Sequence, residues 1–225
     1  MPKVFNERED IEQVKAMFSE RGLEAVEYSG EGVGSRETPD LEIRLDGELV
    51  AYCEVKSPGQ DTWLEDQFAR AEPGEIVGGA RDDPIFNRLS THIYKAAKQL
   101  DTVNPDRTVP NILVMVNHDN ASGPSDLYET VTGHFLSDDG THHPTMLRIS
   151  EGRIREGKQK IDLFIWIDLD SGKTTFFPTV FHPEQSEKVK SLFRSEKHTP
   201  FFDIKILIFL NSDLNDSEVE QKINA

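Results

Sequence analysis

Three charged residues early in the chain have the types and spacing for phosphodiester chemistry: Asp40, Glu54 and Lys56. Glu54 and Lys56 are two apart, so a strand would aim both side chains to one face. Asp40 stands just before an alternating segment, 41–45, and Asp46-Gly47 follows it as a two-residue hairpin turn. Such a turn needs φ > 0 at both central positions, which Asp-Gly tolerates. Folding the chain back there carries the Asp40 end toward the Glu54 end, and two carboxylates and an ammonium group converge. Hard oxygen ligands select Mg²⁺ or Mn²⁺. A cation so held polarises phosphoryl oxygens and acidifies a water, and a lysine beside it orients that water or offsets negative charge. The Val55 carbonyl, between the two side chains, is a further candidate ligand.

The surrounding pattern supplies the elements that must position these groups. Residues 7–21 read as a helix on Ile11, Val14, Met17 and Phe18, with Gly22 as its stop. A short strand is expected over 23–28, then a Gly-rich loop. Strands follow at 41–45 and 48–56. The segment 57–83 is a long acidic excursion with a short helix expected around 63–71. Trp63 and Phe68 within it either stack on bases or anchor it to the core. A helix is expected over 84–100, with Ile85, Leu89, Ile93, Ala96 and Leu100 as its buried stripe. Residues 112–116 form a continuous apolar run, the pattern of a strand covered on both faces. Beyond it the chain predicts a helix over 126–135, a hairpin of 160–168 with 174–181, a helix over 184–193, a last strand over 201–210 and a polar tail.

Composition bounds the reading. The chain has 225 residues, no apolar run of membrane-spanning length and a single cysteine, Cys53. No intrachain disulfide and no cysteine zinc site can form, and a cytoplasmic setting with no membrane partner is expected. Cys53 falls on the apolar face of its strand, a packing position. His142 and His143 are adjacent, lack a third ligand at zinc spacing and read as loop. The net charge of −16 opposes a broad phosphate-binding surface. Either basic residues cluster around the site, or the protein does not hold nucleic acid tightly.

Pro39-Asp40, followed after a hairpin by Glu54-Val55-Lys56, resembles the PD-(D/E)xK nuclease superfamily, which includes restriction endonucleases, junction resolvases and repair exonucleases. The resemblance covers about the first half of the chain, and the order helix, three-stranded meander, helix, strand matches that family's core. It implies metal binding by Asp40 and Glu54 and a catalytic role for Lys56. It also implies an acidic residue from the first helix, for which Glu7 is the first choice and Asp10 and Glu12 are rivals. Polar residues on the helix after the lysine strand come with the same resemblance. Arg88, His92, Lys95 and Gln99 form such a stripe, with Gln99 and Lys95 as the foremost contributors to chemistry or phosphate contact. A solvated helix face is the other reading of that stripe. Ser35 is a phosphate contact on the resemblance alone.

The expected architecture is therefore α/β, a restriction-endonuclease-like core with a mixed central sheet flanked by helices. Residues 1–120 form the core, 121–211 extend the same domain and 212–225 are tail. The expected function is Mg²⁺-dependent hydrolysis of DNA in restriction, phage defence or repair, as a homodimer if both strands are cut. The alternative is a catalytically silent relative that serves in binding or assembly.

Overall fold

A computed structural model describes residues 7–30, 37–59, 68–76, 85–119 and 122–193. Asp46 and Gly47 adopt φ of 52° and 83°, the paired positive values that let a two-residue turn match the twist of its strands. They join β2 (Leu41–Leu45) to β3 (Glu48–Lys56) as an antiparallel pair, with Leu41 opposite Cys53 and a register shift between Ile43 and Arg44. Before this hairpin come α1 (Glu7–Ser19) and β1 (Glu24–Glu27), the latter antiparallel to β2.

The chain then crosses through α2 (Ile85–Val103) to β4 (Asn111–Asn117), which runs parallel to β3. Every residue of β4 is buried, as its unbroken apolar run requires for a strand covered on both faces. The elements after it are α3 (Pro124–Thr132), β5 (His134–Leu136), β6 (His142–Pro144), a π-helical turn (Arg148–Arg153), the one-turn α4 (Arg155–Lys158), β7 (Leu163–Asp168), β8 (Lys173–Pro178) and α5 (Pro183–Leu192). The six-stranded mixed sheet has the order β1-β2-β3-β4-β7-β8, with β5 and β6 in a separate two-stranded sheet. Thus β7, parallel to β4, and β8, antiparallel to β7, continue the sheet begun by the first half.

Side-chain alternation splits the core into two layers. Leu41, Ile43, Cys53, Val55, Val114 and Ile165 face α1 and α5, meeting Val14, Phe18, Val189 and Phe193. Leu113, Met115, Phe164 and Trp166 face α2 and α3, meeting Ile85, Leu89, Ile93, Ala96, Leu100 and Leu127. The molecule is a mixed α/β fold with helices on both faces of the sheet. Cys53 is buried in the first layer.

Two expectations need correction. His142 and His143 lie on β6 rather than in a loop, paired with Leu136 and Phe135, and His142 Nδ1 is 3.2 Å from the Tyr128 hydroxyl. The buried stripe of α1 is Asp10, Val14, Met17 and Phe18, spaced i, i+4, i+7, i+8 on one helical face. Glu7 is therefore exposed and Ile11 only half-buried, while Asp10 turns inward. Of the 63–71 helix, residues 68–70 are helical, and Phe68 is exposed. Trp63, Ser35, the 201–210 strand and the tail lie outside the described residues. No helix among the described residues is long and apolar enough to cross a membrane.

Candidate active site

The β2–β3 register decides what meets at the sheet end. Leu41 pairs with Cys53, so Asp40, one residue earlier, comes beside Glu54. The Val55 N–H donates to Asp40 Oδ2 at 2.8 Å, which pins that carboxylate across the ladder. Glu54 points toward the α2 layer and is fully buried. Lys56, two residues on, projects to the same side and its Nζ donates to Glu54 Oε1. Asp40, Glu54, Val55 and Lys56 are thus one cluster.

The cluster is electrostatically unbalanced. Burial, and then the Asp40 charge, push the Glu54 carboxyl up to about 8, with Lys56 pulling the other way. Asp40 is also raised, chiefly by burial, although the Val55 N–H and Lys56 favour its charged form. An ionised Glu54 leaves its buried Oε2 without a hydrogen-bond donor among the described residues, a costly state for a charged oxygen. When both carboxylates are ionised, one lysine does not neutralise them, so the ionised pair has room for further positive charge. Among the described residues no group of three His, Cys, Asp or Glu side chains is arranged around a metal position. Two carboxylates are nonetheless enough for a cation such as Mg²⁺, which keeps several waters and takes phosphate oxygens as its remaining ligands.

A cleft of about 300 Å³ opens beside the cluster, lined by Glu7, Asp10, Val55, Lys56, Ser57, His92 and Lys95. It lies where β3 ends, between the first turn of α1 and the middle of α2. Asp10 forms its floor and is almost completely buried. Ser57 Oγ donates to Asp10 Oδ2, and His118 Nε2, just past β4, lies 2.8 Å from Asp10 Oδ1. Asp10 therefore ties α1 to the ends of two adjacent strands. Glu7 lines the rim, where its charge acts on Asp40. Glu12 is exposed and bound to Lys15 at 2.8 Å, away from the cleft.

The stripe on α2 divides by position. His92 and Lys95 line the cleft. His92 is lowered to about 4 by burial first and then by the charges of Lys56, Lys95 and Arg88, and its buried Nδ1 has no hydrogen-bond partner among the described residues. Arg88 turns to the buried Asp119, 3.7 Å away. Gln99 is buried and does not line the cleft. Its Nε2 donates to the Thr38 carbonyl at 3.0 Å, so it acts on the chain that leads into Asp40. Spacing indicated a helical polar stripe but could not tell a wall residue from a residue gripping a neighbouring loop. His118 was not anticipated, and its only sequence signal is a position directly after the buried strand β4.

A second cluster with reactive residue types lies elsewhere. Lys158 Nζ donates to Ser150 Oγ at 2.6 Å and to Glu151 Oε1 at 2.7 Å. Ser150 is fully buried and also donates to the Val131 carbonyl, so this cluster braces the π-helical turn and offers no hydroxyl to a substrate.

Compared with protein-family models, with curated proteins and with solved structures, the chain gives no significant match.

Proposed function

We propose that this protein is a Mg²⁺- or Mn²⁺-dependent nuclease that hydrolyses DNA phosphodiester bonds, with a PD-(D/E)xK-type site formed by Asp40, Glu54 and Lys56. One observation carries the reading: Glu54 is buried beside a second carboxylate with one oxygen bound by Lys56 and the other without a donor among the described residues. A carboxylate perturbed by burial and by specific charged neighbours, beside a cleft, is a candidate functional group. Asp40 and Glu54, with the Val55 carbonyl, would hold the cation. When bound, it would supply polarisation of the phosphoryl oxygens and an acidified water. Lys56 Nζ, freed from part of its pairing with Glu54, would orient the attacking water and stabilise charge on the phosphoryl oxygens. Lys95 and His92 would contact a neighbouring phosphate across the cleft. Gln99 and Asp10 act at one remove, by fixing the Thr38–Asp40 backbone and the Ser57 end of β3.

A restriction, defence or repair role accords with this chemistry, as does a cytoplasmic setting for a chain with one cysteine. Cutting both strands of a duplex would call for a second copy of the site, hence a homodimer. The rival is a catalytically silent binding or assembly protein. Two observations favour it: the direct Lys56–Glu54 pair occupies the lysine, and the net charge is −16.

Incubating the protein with plasmid and Mg²⁺ or Mn²⁺, beside Lys56→Ala, separates the two. Cation-dependent nicking by the parent and none by the variant supports the nuclease. Equal activity in both preparations, or none in either, removes it.

A further inference from the structure

The exposed face of α2 continues away from the cleft as a second groove of about 440 Å³, lined by Glu37, Thr91, Tyr94, Lys95, Lys98 and Arg153. Lys95 lines both hollows, so they share a wall. Thr91, Tyr94, Lys95 and Lys98 are spaced i, i+3, i+4, i+7 and occupy one helical face, about 10 Å long at 1.5 Å per residue. Arg153 comes from the π-helical turn and is fastened along this face, donating to Thr91 Oγ1 at 2.8 Å and Asn87 Oδ1 at 3.2 Å. Tyr94 is 47 % exposed, and Lys98 Nζ sits 4.4 Å from its ring centroid, within cation–π range.

Lys15, Arg44, Lys160, Lys188 and Lys190 are each in an ion pair with a carboxylate. Among the described residues Lys95, Lys98 and Arg153 are in none, and neither are Arg8, Arg148, Arg155 and Lys173. The strip is set apart because three such cations line one groove. In a chain carrying −16, three uncompensated cations around one exposed aromatic ring form a local site for a polyanion with flat, stackable groups. Glu37 is the sole acidic lining residue among the described residues and narrows the anionic path to the helix side. A ring exposed in a groove, with the Lys98 ammonium against it, can offer its open side to an unpaired base and not to a base held inside a duplex.

We infer that α2 carries a single-strand path: an unpaired DNA strand or the single-stranded arm of a branched duplex lies along this face, with a base on Tyr94 and phosphates at Lys95, Lys98 and Arg153. The path rests on the nuclease reading for its direction, since Lys95 hands the strand to the cleft beside Lys56. It names the substrate class of that site as single-stranded or branched DNA in preference to plain duplex.

The test is fluorescence anisotropy of the full chain with a labelled single-stranded oligonucleotide, and with its duplex, in EDTA so that binding is read without cleavage. The single strand should bind more tightly than the duplex. Tyr94→Ala should weaken it about 5- to 100-fold, the range for loss of one stacked base, while Tyr94→Phe should retain it. Lys98→Ala should lower the slope of log affinity against log salt by about 0.7, one phosphate contact on a single strand. Tyr94 is exposed, so circular dichroism of the variant should match the parent. Equal binding of duplex and single strand, parental affinity in Tyr94→Ala, or equal competition by polyglutamate would each overturn the path. Tyr94-dependent binding with no cation-dependent cleavage of any DNA would leave the path standing and remove the nuclease reading. Cleavage of duplex together with Tyr94-independent binding would do the reverse.

Discussion

Gln99 Nε2 donates to the Thr38 carbonyl at 3.0 Å, two residues before Asp40, so α2 grips the chain on its way into the carboxylate cluster. Asp40 is held on the other side by the Val55 N–H at 2.8 Å. The carboxylate is thereby positioned from both the helix layer and the sheet. Gln99→Ala leaves a part-buried carbonyl without its donor, which costs about 1 kcal/mol. Loss of an outer-shell support of this kind lowers metal affinity or activity about 10- to 100-fold. Calorimetric Mn²⁺ titration and urea unfolding of Gln99→Ala should register both losses. Parental Mn²⁺ affinity in the variant would show that the contact is purely structural.

Glu54, pushed up to about 8 by burial and Asp40, makes stability depend on pH. The folded protein holds a proton that the unfolded chain releases near its ordinary value of 4.5. This contribution is fully present below that value and is lost as pH rises through about 8. Metal-free protein should therefore lose this contribution progressively between pH 4.5 and about 8, with a slope of at most about 1.4 kcal/mol per pH unit. Glu54→Gln should flatten the slope. A divalent cation needs the ionised carboxylate, so Mn²⁺ affinity should climb over the same range with proton release. Urea melts in EDTA, then with Mn²⁺, measure both trends, and a pH-independent metal affinity would contradict the assignment of Glu54 as ligand.

His92 works in the opposite sense and in a lower window. Its folded value of about 4 lies below the ordinary 6.5, so the fold favours the neutral ring. The stability this gives is present above 6.5 and is lost as pH falls toward 4. An anion in the cleft would offset the charges of Lys56, Lys95 and Arg88 that help depress it. Phosphate or a short oligonucleotide should therefore raise the His92 midpoint, followed by NMR of the ring Cε1–H. A midpoint indifferent to added anion would place phosphate binding elsewhere.

Asp10 is a different kind of residue, an anchor for strand ends. Its two oxygens meet Ser57 and His118, and its side chain is almost wholly buried. Asp10→Ala should cost about 3 kcal/mol, from two charge-assisted hydrogen bonds lost in a buried setting. Ser57→Ala should cost about 1 kcal/mol, because only one bond is removed. Chemical denaturation of the two variants, with a double-mutant cycle, would show whether the two bonds act together.

Legibility in the sequence followed the range of the interaction. The hairpin of β2 and β3 was readable because Asp46-Gly47 states its own turn geometry, and the alternation around it set which residues face together. The strand Asn111–Asn117 and the helix Ile85–Val103 were readable from one continuous run and one 3.6-residue stripe. The short strands β5 and β6 and the π-helical turn were not, since three to six residues carry too few periods to register. In the site, the convergence of Asp40, Glu54 and Lys56 followed from local pleat and turn. The inward turn of Asp10, the grip of Gln99 on Thr38 and the approach of Arg153 to Thr91 each join residues far apart in the chain. Only packing decides such pairings, which is why the sequence favours Glu7 over Asp10 as the acidic residue of the first helix.

Lys56 offers the sharpest separation of binding from chemistry. Its Nζ and any cation compete for the same carboxylate, because Glu54 Oε1 already accepts from Lys56 while Oε2 has no donor among the described residues. Removing the ammonium should therefore leave Mn²⁺ binding intact or tighten it, since the cation then meets two uncompensated carboxylates. Cleavage should nevertheless fall by about 10²- to 10⁴-fold, the usual cost of losing a group that moves or orients a proton at the reacting water. Lys56→Arg keeps the charge and the pairing but presents a planar guanidinium that does not release its proton, so it should bind DNA and still cleave slowly. Measured together, Mn²⁺ calorimetry and single-turnover cleavage of Lys56→Ala and Lys56→Arg distinguish a catalytic lysine from a structural one. Loss of cation binding in Lys56→Ala, in step with loss of folding, would assign the residue to holding Glu54 in place.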